Sequence, residues 1–281
     1  MRVLLVGLGR WGMNHLRTLQ ELGVDVLTCD TDMTKEPDIT THRELLGCVD
    51  AVDIVTPADS HYAICMDCLR AGKDVFVEKP IALTSSQACE MVSEAEKRDL
   101  ILQVGHVFRY HSAIQDMKDG MRDVGNMRYV YGHFMSNKKP RTDVGVTHTD
   151  SIHFFDLFNY LFGVMPSSVV SVTKSFLGNP LDDTSVSVLD YGGRMAVVES
   201  SCIAPQEKRD IAIAGSMGSL HFDFLDQRYA SGKPLTAELS DFLCAMETRA
   251  KPVSDGRCGY DALRVVEACY LSSIGGKRVY L

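Results

Sequence analysis

The sequence predicts an α/β protein whose first part is a doubly wound parallel sheet and whose second part is an α+β domain with an open, mostly antiparallel sheet. Two observations support this prediction. Apolar strands alternate with amphipathic helices over residues 1–110, as in repeated β-α-β units. Beyond residue 110, strands follow one another with few helices between them. We therefore expect two domains, residues 1–110 and residues 111–281.

The elements of the first domain begin with Val3-Leu4-Leu5-Val6, a continuous apolar run typical of a strand that is covered on both faces. A helix follows and ends at Gly23. Only about ten residues separate Asp30 from Thr40, too few for a crossover helix, so we expect a short loop there. The other predicted elements are strands at 24–29, 49–55, 75–77 and 100–104 and helices at 61–71 and 85–98.

The second domain reads as strands joined by short turns. Gly192-Gly193 is typical of a hairpin turn between two of them. The predicted strands are 127–134, 169–176, 185–191, 195–201 and 209–214, and the predicted helices are 150–162, 236–249 and 258–274.

The bulk composition is that of a globular protein. The chain has 281 residues and a net charge of −8, which argues against nucleic acid or an anionic membrane as the main partner. No apolar run is long enough to span a membrane. Nine cysteines without a framework spacing indicate a reducing compartment, so we expect a cytoplasmic protein without a metal site.

A glycine-rich turn separates the first strand from the first helix. Gly7, Gly9 and Gly12 have the spacing G-x-G-x-x-G, in which the first glycine makes the turn and the second admits a pyrophosphate. The third lets helix and strand pack closely. The N–H groups near Arg10 and Trp11 then face the phosphates, so the motif predicts a Rossmann-type dinucleotide site.

Other candidate cofactor residues lie at the predicted ends of neighbouring strands. The carboxylate of Asp30 accepts hydrogen bonds from a ribose 2′-OH and repels a 2′-phosphate, so we favour NAD over NADP. Thr56 and Pro57 end the third strand and border the ligand crevice of such a sheet. His61 is either a neighbour of the cofactor or a helix-start residue without a ligand.

The fourth strand ends in Glu78-Lys79-Pro80, and the proline restricts the backbone at the lysine. Lys79 is either a surface residue at a strand end or an acid/base lysine beside the dinucleotide. Together with the glycine turn, the second interpretation predicts an oxidoreductase.

Four further motifs lie along the chain: Val104-Gly105-His106 with Arg109, Ile152-His153 with Asp156, and the segments 213–220 and 251–281. Together with residues 7–12, Thr56-Pro57 with His61 and Glu78-Lys79-Pro80, they resemble the glucose-fructose oxidoreductase, inositol dehydrogenase and rhizopine catabolism (Gfo/Idh/MocA) family of NAD(P)-dependent sugar oxidoreductases. The resemblance covers essentially the whole chain. Residues 104–109 and 233–242 look most like the branch acting on UDP-linked N-acetylated sugars.

The resemblance implies a Rossmann domain followed by an α+β domain whose open sheet builds a homodimer or homotetramer. It also implies cofactor contacts from Glu78, Lys79 and Pro80, with a cis peptide bond between the last two. Family members often carry an aspartate four residues before the catalytic histidine. Here that position is Thr149, with Asp150 beside it, so either Asp150 takes the role or the role is reduced.

Oxidation of a secondary alcohol requires removal of a hydride from carbon and of a proton from oxygen. An unperturbed histidine side chain titrates near neutral pH, so His153 is the candidate proton acceptor, unless it is a core histidine among phenylalanines. Lys79 would stay charged and stabilise the developing alkoxide, although the two roles are interchangeable. Lys79 and His153 would contact the substrate in these roles, and Arg109, Tyr110 and Thr149 are further candidate substrate contacts. A guanidinium such as that of Arg109 pairs well with a diphosphate.

Three functions remain open from the sequence. The first is an NAD-dependent dehydrogenase of a UDP-linked N-acetylated sugar, and the second is a dehydrogenase of a free cyclitol or monosaccharide. The third is an NAD-binding regulatory protein without turnover, against which the intact Lys79 and His153 argue.

Overall fold

The computed structural model describes residues 1–229 and 232–281 and divides the chain into two compact units. The first unit comprises Met1–Val107 and Lys233–Tyr260, and the second comprises Phe108–Gly232 and Asp261–Leu281. Residues 233–260 belong to the predicted second domain, whereas in the structure they pack in the first unit.

The strands and helices of the described residues follow the predicted order with three additions, α4, β11 and β12. The strands are β1 (Arg2–Val6), β2 (Asp25–Cys29), β3 (Ala51–Ile54), β4 (Asp74–Glu78), β5 (Leu102–Gly105), β6 (Met127–Asn137), β7 (Ser168–Lys174), β8 (Thr184–Asp190), β9 (Met195–Ser201), β10 (Ile203–Gly215), β11 (Ser219–Asp223) and β12 (Val279–Tyr280). The helices are α1 (Arg10–Glu21), α2 (Ala58–Arg70), α3 (Ser85–Arg98), α4 (Ser112–Val124), α5 (Ile152–Phe162), α6 (Pro234–Thr248) and α7 (Gly256–Gly275). None of these helices combines the length and the apolar character that crossing a bilayer requires.

The first unit contains a five-stranded parallel sheet in the order β2-β1-β3-β4-β5, which confirms the doubly wound prediction. Between β2 and β3 the chain forms only short 3₁₀ turns, the first of which is Met33–Lys35. The crossover helix is therefore missing after Asp30, as the short spacing in the sequence predicts.

Helix α6 completes the core of this first unit. Leu239, Phe242 and Ala245 on one face of α6 join a buried cluster that includes Val3 of β1 and Phe76 of β4. The Phe76 and Phe242 rings meet edge to face with centroids 5.8 Å apart, a favourable aromatic geometry. The return of the chain to the first unit is thus fixed by apolar packing.

The second unit contains a seven-stranded sheet in the order β11-β10-β6-β9-β8-β7-β12. Its pairs are antiparallel except for β6 with β9, which confirms the mostly antiparallel prediction. The turn between β8 and β9 has Gly192 at φ 65° and Gly193 at φ 85°, the positive values that a tight hairpin requires.

Candidate functional site

The predicted cofactor residues of the first unit lie at the carboxyl ends of its parallel strands. The glycine turn follows β1, Thr56 and Pro57 follow β3, and Lys79 and Pro80 follow β4. Since β1 lies between β2 and β3, the order of the strands reverses there, and open α/β sheets bind ligands at this edge.

The three glycines of the turn have different surroundings. A Cβ on Gly7 (φ +104°) would lie 2.6 Å from the Val55 carbonyl oxygen, and one on Gly12 would lie 1.9 Å from the Gly7 oxygen. A Cβ on Gly9 would meet no other atom within 4 Å. No side chain caps the N-terminus of α1, which begins at Arg10. The turn therefore combines close packing with an open cradle of N–H groups that fits a pyrophosphate.

Asp30 lies at the end of β2 with its carboxylate turned toward the glycine turn. Its Oδ2 accepts a 2.7 Å hydrogen bond from the Leu8 N–H and a 2.9 Å hydrogen bond from Lys35 Nζ. Burial raises the pKa of Asp30, but the hydrogen bonds from Lys35, Asp32 and Leu8 outweigh it and the net pKa is lowered. The group is thus an anion, as binding of ribose hydroxyls requires, with the charge of Lys35 beside it.

His61 joins the ends of two strands. Its Nδ1 lies 2.8 Å from the carbonyl oxygen of Pro80, and its Nε2 lies 2.9 Å from that of Thr56. The residue is 1% exposed, and the Lys79–Pro80 peptide bond is cis. These contacts favour the interpretation in which His61 has no ligand, since its ring holds the ends of β3 and β4 together.

Glu78 turns inward and contacts His15, which in turn contacts Asp53; neither residue was among the predicted site residues. Glu78 Oε1 accepts a 2.8 Å hydrogen bond from the Trp11 indole N–H and lies 3.3 Å from His15 Nε2. His15 Nδ1 lies 2.9 Å from Asp53 Oδ2, and both residues are fully buried. An acidic residue in the middle of the apolar strand β3 was the signal in the sequence, because a buried charge requires a partner.

In the second unit, His153 lies on α5, directly after a π-helical turn at Thr147–Ser151. Its ring stacks on Phe108 with centroids 4.5 Å apart and is nearly parallel to Phe134 at 5.8 Å. The residue is 6% exposed. The aromatic rings therefore fix the plane of the imidazole, and π-helical turns of this kind are frequent at functional sites.

Arg109 forms a two-pronged ion pair with Asp156, one turn beyond His153 on α5. Its Nε lies 2.8 Å from Asp156 Oδ2 and its Nη2 lies 2.6 Å from Oδ1, with side-chain exposures of 7% and 1%. The guanidinium also lies 4.6 Å from the centre of the Tyr160 ring. The expected contact with a substrate diphosphate stays a prediction, and the ion pair joins α5 to Arg109. Tyr110 follows it and is partly buried.

The two residues of the π-helical turn that were candidates for the site have local partners. Asp150 accepts hydrogen bonds from Lys138 Nζ at 3.1 and 2.9 Å on its two oxygens. The hydroxyl of Thr149 donates a 3.2 Å hydrogen bond to the Gly145 carbonyl. Asp150 is therefore part of an ion pair that joins the turn to Lys138, directly after β6. Its expected role as a partner of His153 stays a prediction.

Both parts of the chain match models of a single protein family. Residues 1–106 match the model described as an oxidoreductase family with an NAD-binding Rossmann fold. Residues 120–221 match the model described as the GFO/IDH/MocA C-terminal domain.

Individual relatives resemble the chain over most of its length. The UDP-N-acetylglucosamine 3-dehydrogenase of Acidithiobacillus ferrooxidans is 26% identical, covering 92% of this chain and 93% of its own. Its solved structure, GnnA, has a TM-score of 0.86 and covers 97% of both chains. The myo-inositol 2-dehydrogenase of Thermotoga maritima is also 26% identical, covering 79% of this chain and 75% of its own.

Proposed function

Since the chain belongs to the GFO/IDH/MocA oxidoreductase family and carries its NAD-binding Rossmann domain, we propose that it transfers a hydride between NAD and a ring carbon of a UDP-linked N-acetylated sugar. The observation that carries the choice of substrate is the end-to-end similarity to UDP-N-acetylglucosamine 3-dehydrogenase, over 92% of this chain and 93% of the relative. The similarity to the inositol dehydrogenase covers less, 79% of this chain and 75% of that relative.

The glycine turn and the edge of the parallel sheet would hold the cofactor. The N–H groups around Arg10 and Trp11 would bind the pyrophosphate, because the space at Gly9 is open. The anionic Asp30 would accept hydrogen bonds from the ribose hydroxyls. Thr56 and Pro57 border the same edge. When bound, NAD supplies the carbon that accepts or donates the hydride.

We assign proton transfer to His153 and charge stabilisation to Lys79. The imidazole of His153 is held in its plane by Phe108 and Phe134, which suits a group that must meet a hydroxyl in one orientation. The ammonium of Lys79 stabilises the alkoxide that develops as the proton leaves. The backbone N–H of Lys79 donates a 3.1 Å hydrogen bond to Glu78 Oε2, which anchors the backbone at the reacting side chain.

In this proposal, some residues around α5 support the helix and others contact the substrate. Arg109 with Asp156, and Lys138 with Asp150, are ion pairs that hold α5 and the turn before it. Tyr110 and Thr149 are kept as candidate substrate contacts. Arg109 and Asp150 act on the reaction through the position of His153.

A ligand panel tests the proposed substrate. Thermal unfolding is followed with NAD, NADP, UDP-N-acetylglucosamine, UDP, N-acetylglucosamine, myo-inositol and free hexoses, and NADH formation is measured for each sugar. Ligands that bind only the native state raise the melting temperature. We expect the largest rise, and turnover, with UDP-N-acetylglucosamine, and a smaller rise with UDP or N-acetylglucosamine alone.

A second candidate is a dehydrogenase of a free cyclitol, which the inositol dehydrogenases among the relatives favour. In the same panel, turnover of myo-inositol without stabilisation by any UDP-sugar would replace the first proposal with this one. Binding of NAD without turnover of any sugar would instead support a regulatory protein.

The open sheet of the second unit supports self-association. One face of the sheet carries a row of apolar side chains across neighbouring strands, because Val170 pairs with Val188, Val188 with Val197 and Val197 with Tyr131. Val172 and Val186 lie in the next row and are 54% and 40% exposed. Contiguous exposed apolar surface of this kind is typical of protein interfaces. We therefore propose that this face binds a second copy of the chain.

A further inference from the structure

A chain of polar side chains runs through the interior of the first unit, from the glycine turn to the end of β4. The Trp11 indole on α1 bonds to Glu78, Glu78 faces His15, and His15 bonds to Asp53 on β3. The imidazole of His15 also meets the ring of Phe76 edge to face, with centroids 5.6 Å apart. His15 lies one turn after Trp11 on the same helix, so α1 supplies two of the four side chains of this network.

Both ring nitrogens of His15 face carboxylate oxygens, at 2.9 Å for Asp53 and 3.3 Å for Glu78. The contact with Asp53 is a hydrogen bond, and the contact with Glu78 is an ion-pair distance without hydrogen-bond geometry. A positive charge on the ring would be stabilised by both carboxylates, so the arrangement fits a charged histidine between two acids. Burial lowers the pKa of His15, but the charge and hydrogen bond of Asp53, together with Glu78, raise it to about 10. Burial raises the pKa of Glu78, yet the close approach of His15 and the charges of His15 and Lys79 leave it below its usual value.

Stability alone does not account for this network. Removing charges from water is costly, and apolar side chains of similar volume often serve as well or better in a core. The pKa of Asp53 is raised by burial even though His15 opposes the rise, so the carboxylate is held at an energetic cost. The network is therefore better explained by the position in which it holds one of its side chains.

That position is the carboxylate of Glu78, which is fixed from several sides. It accepts hydrogen bonds from the Trp11 side chain at 2.8 Å and from the Lys79 N–H at 3.1 Å. On β5, a Cβ on Gly105 would lie 2.7 Å from Glu78 Oε1, so the carboxylate occupies space that only glycine leaves open. Small movements of Glu78 would move both the tryptophan of the glycine turn and the backbone of the lysine.

We propose that His15 and Asp53 are positioning residues that fix Glu78 and thereby hold Trp11 and Lys79 in one register. Trp11 belongs to the turn that holds the cofactor, and Lys79 is the residue assigned to charge stabilisation. The part concerning Lys79 rests on the proposed function. The part concerning Trp11 does not, because it involves only the glycine turn and its interior contacts.

Three variants test the network in different ways. Asp53→Asn keeps the shape and removes one charge, His15→Gln removes the imidazolium, and Gly105→Ala displaces the Glu78 carboxylate without changing any charge. The matched control is Leu69→Val, which trims a fully buried side chain on α2 outside the network. Each protein is assayed only after circular dichroism has shown that it is folded.

The readout that needs no substrate is fluorescence, since Trp11 is the single tryptophan of the chain. We expect the three network variants to shift the emission maximum of Trp11 and to reduce its response to NAD, while Leu69→Val leaves both unchanged. We expect kcat to fall about 10- to 100-fold in the network variants, because small displacements of reacting groups slow turnover by factors of this size. The KM for the sugar should change much less.

The pH dependence separates positioning by charge from simple packing. His15 has a folded pKa raised above its unfolded value, so its stabilisation is complete below about pH 6.5 and is lost as pH rises through about 10. In Asp53→Asn the pKa of His15 should fall. The alkaline change in Trp11 emission should therefore move to lower pH than in the wild type, whereas Leu69→Val should keep the wild-type midpoint.

Folded His15→Gln and Asp53→Asn proteins with wild-type emission, pH midpoint and kcat would overturn the proposal. If the wild type turns over no sugar, the fluorescence results still decide the contact with Trp11, and only the proposed function fails. If the emission shifts but kcat is unchanged, the network positions the glycine turn and its effect on Lys79 is refuted.

Discussion

At the scale of single residues, two candidates for the site, Arg109 and Asp150, are each held in an ion pair. Arg109 carries the right group for a diphosphate, but its guanidinium lies against Asp156. Asp150 lies near the histidine in sequence, but its oxygens meet Lys138. These pairings join residues 47 and 12 positions apart, and no local pattern specifies which cation a carboxylate will meet.

Substitution of Lys79 or His153, the two residues assigned to the reaction, should lower kcat. Lys79→Ala should lower kcat about 100- to 1000-fold through loss of charge stabilisation, while the Kd for NAD changes little. His153→Asn should lower kcat by about 100-fold or more through loss of the proton acceptor. The measurements are steady-state NADH formation and titration of NAD by fluorescence or calorimetry.

Lys97→Ala is the matched control, since Lys97 is an exposed lysine on α3 of the same unit. It should behave as the wild type. A Lys79→Ala protein that loses NAD binding but keeps full turnover at saturating cofactor would contradict the assigned role.

At the scale of secondary structure, α6 was predicted as a helix but assigned to the other domain. Its apolar face carries Leu239, Phe242 and Ala245, and periodicity indicates that such a face is buried without indicating against what. The structure packs this face with β1 and β4. Helix α4 was missed because its polar and charged residues outnumber the buried Ala113, Ile114, Met117 and Val124.

Phe242→Ala should therefore destabilise the first unit, although the residue is distant from it in sequence. Truncation of a fully buried phenylalanine typically costs about 3–5 kcal/mol of unfolding free energy. Chemical denaturation followed by Trp11 fluorescence reports this unit directly. Phe176→Ala, at a side chain that is 67% exposed, is the control and should cost about 0.5 kcal/mol or less. Equal effects of the two substitutions would refute the packing role of α6.

At the scale of the whole molecule, the exposed face of the seven-stranded sheet points to assembly. Its valines and tyrosines lie in register across β7, β8, β9 and β6, so they form one surface. Near one end of that surface, the buried carboxylate of Asp210 lies between His133 and His221 at 2.7 and 2.8 Å. A monomer would leave this apolar area in water.

We expect the wild type to be a dimer or tetramer, and the double variant Val172→Lys, Val186→Lys to be a folded monomer, because each interface would then bury unpaired charges. Light scattering after gel filtration gives the mass, and circular dichroism gives the fold. Val253→Lys, at a valine that is 43% exposed on the first unit, should keep the mass of the wild type. A monomeric wild type would refute the assembly proposal.

The sequence by itself determined the parallel sheet, the glycine turn, the missing helix after Asp30 and the family, because each depends on local spacing along a continuous stretch of chain. It did not determine the return of α6 to the first unit, the partner of Arg109, or the buried contact of His15 with Asp53 and Glu78. Only the tertiary structure decided these. Each depends on which distant groups share a low-dielectric interior, where a charge must find a partner and an apolar face must find a surface.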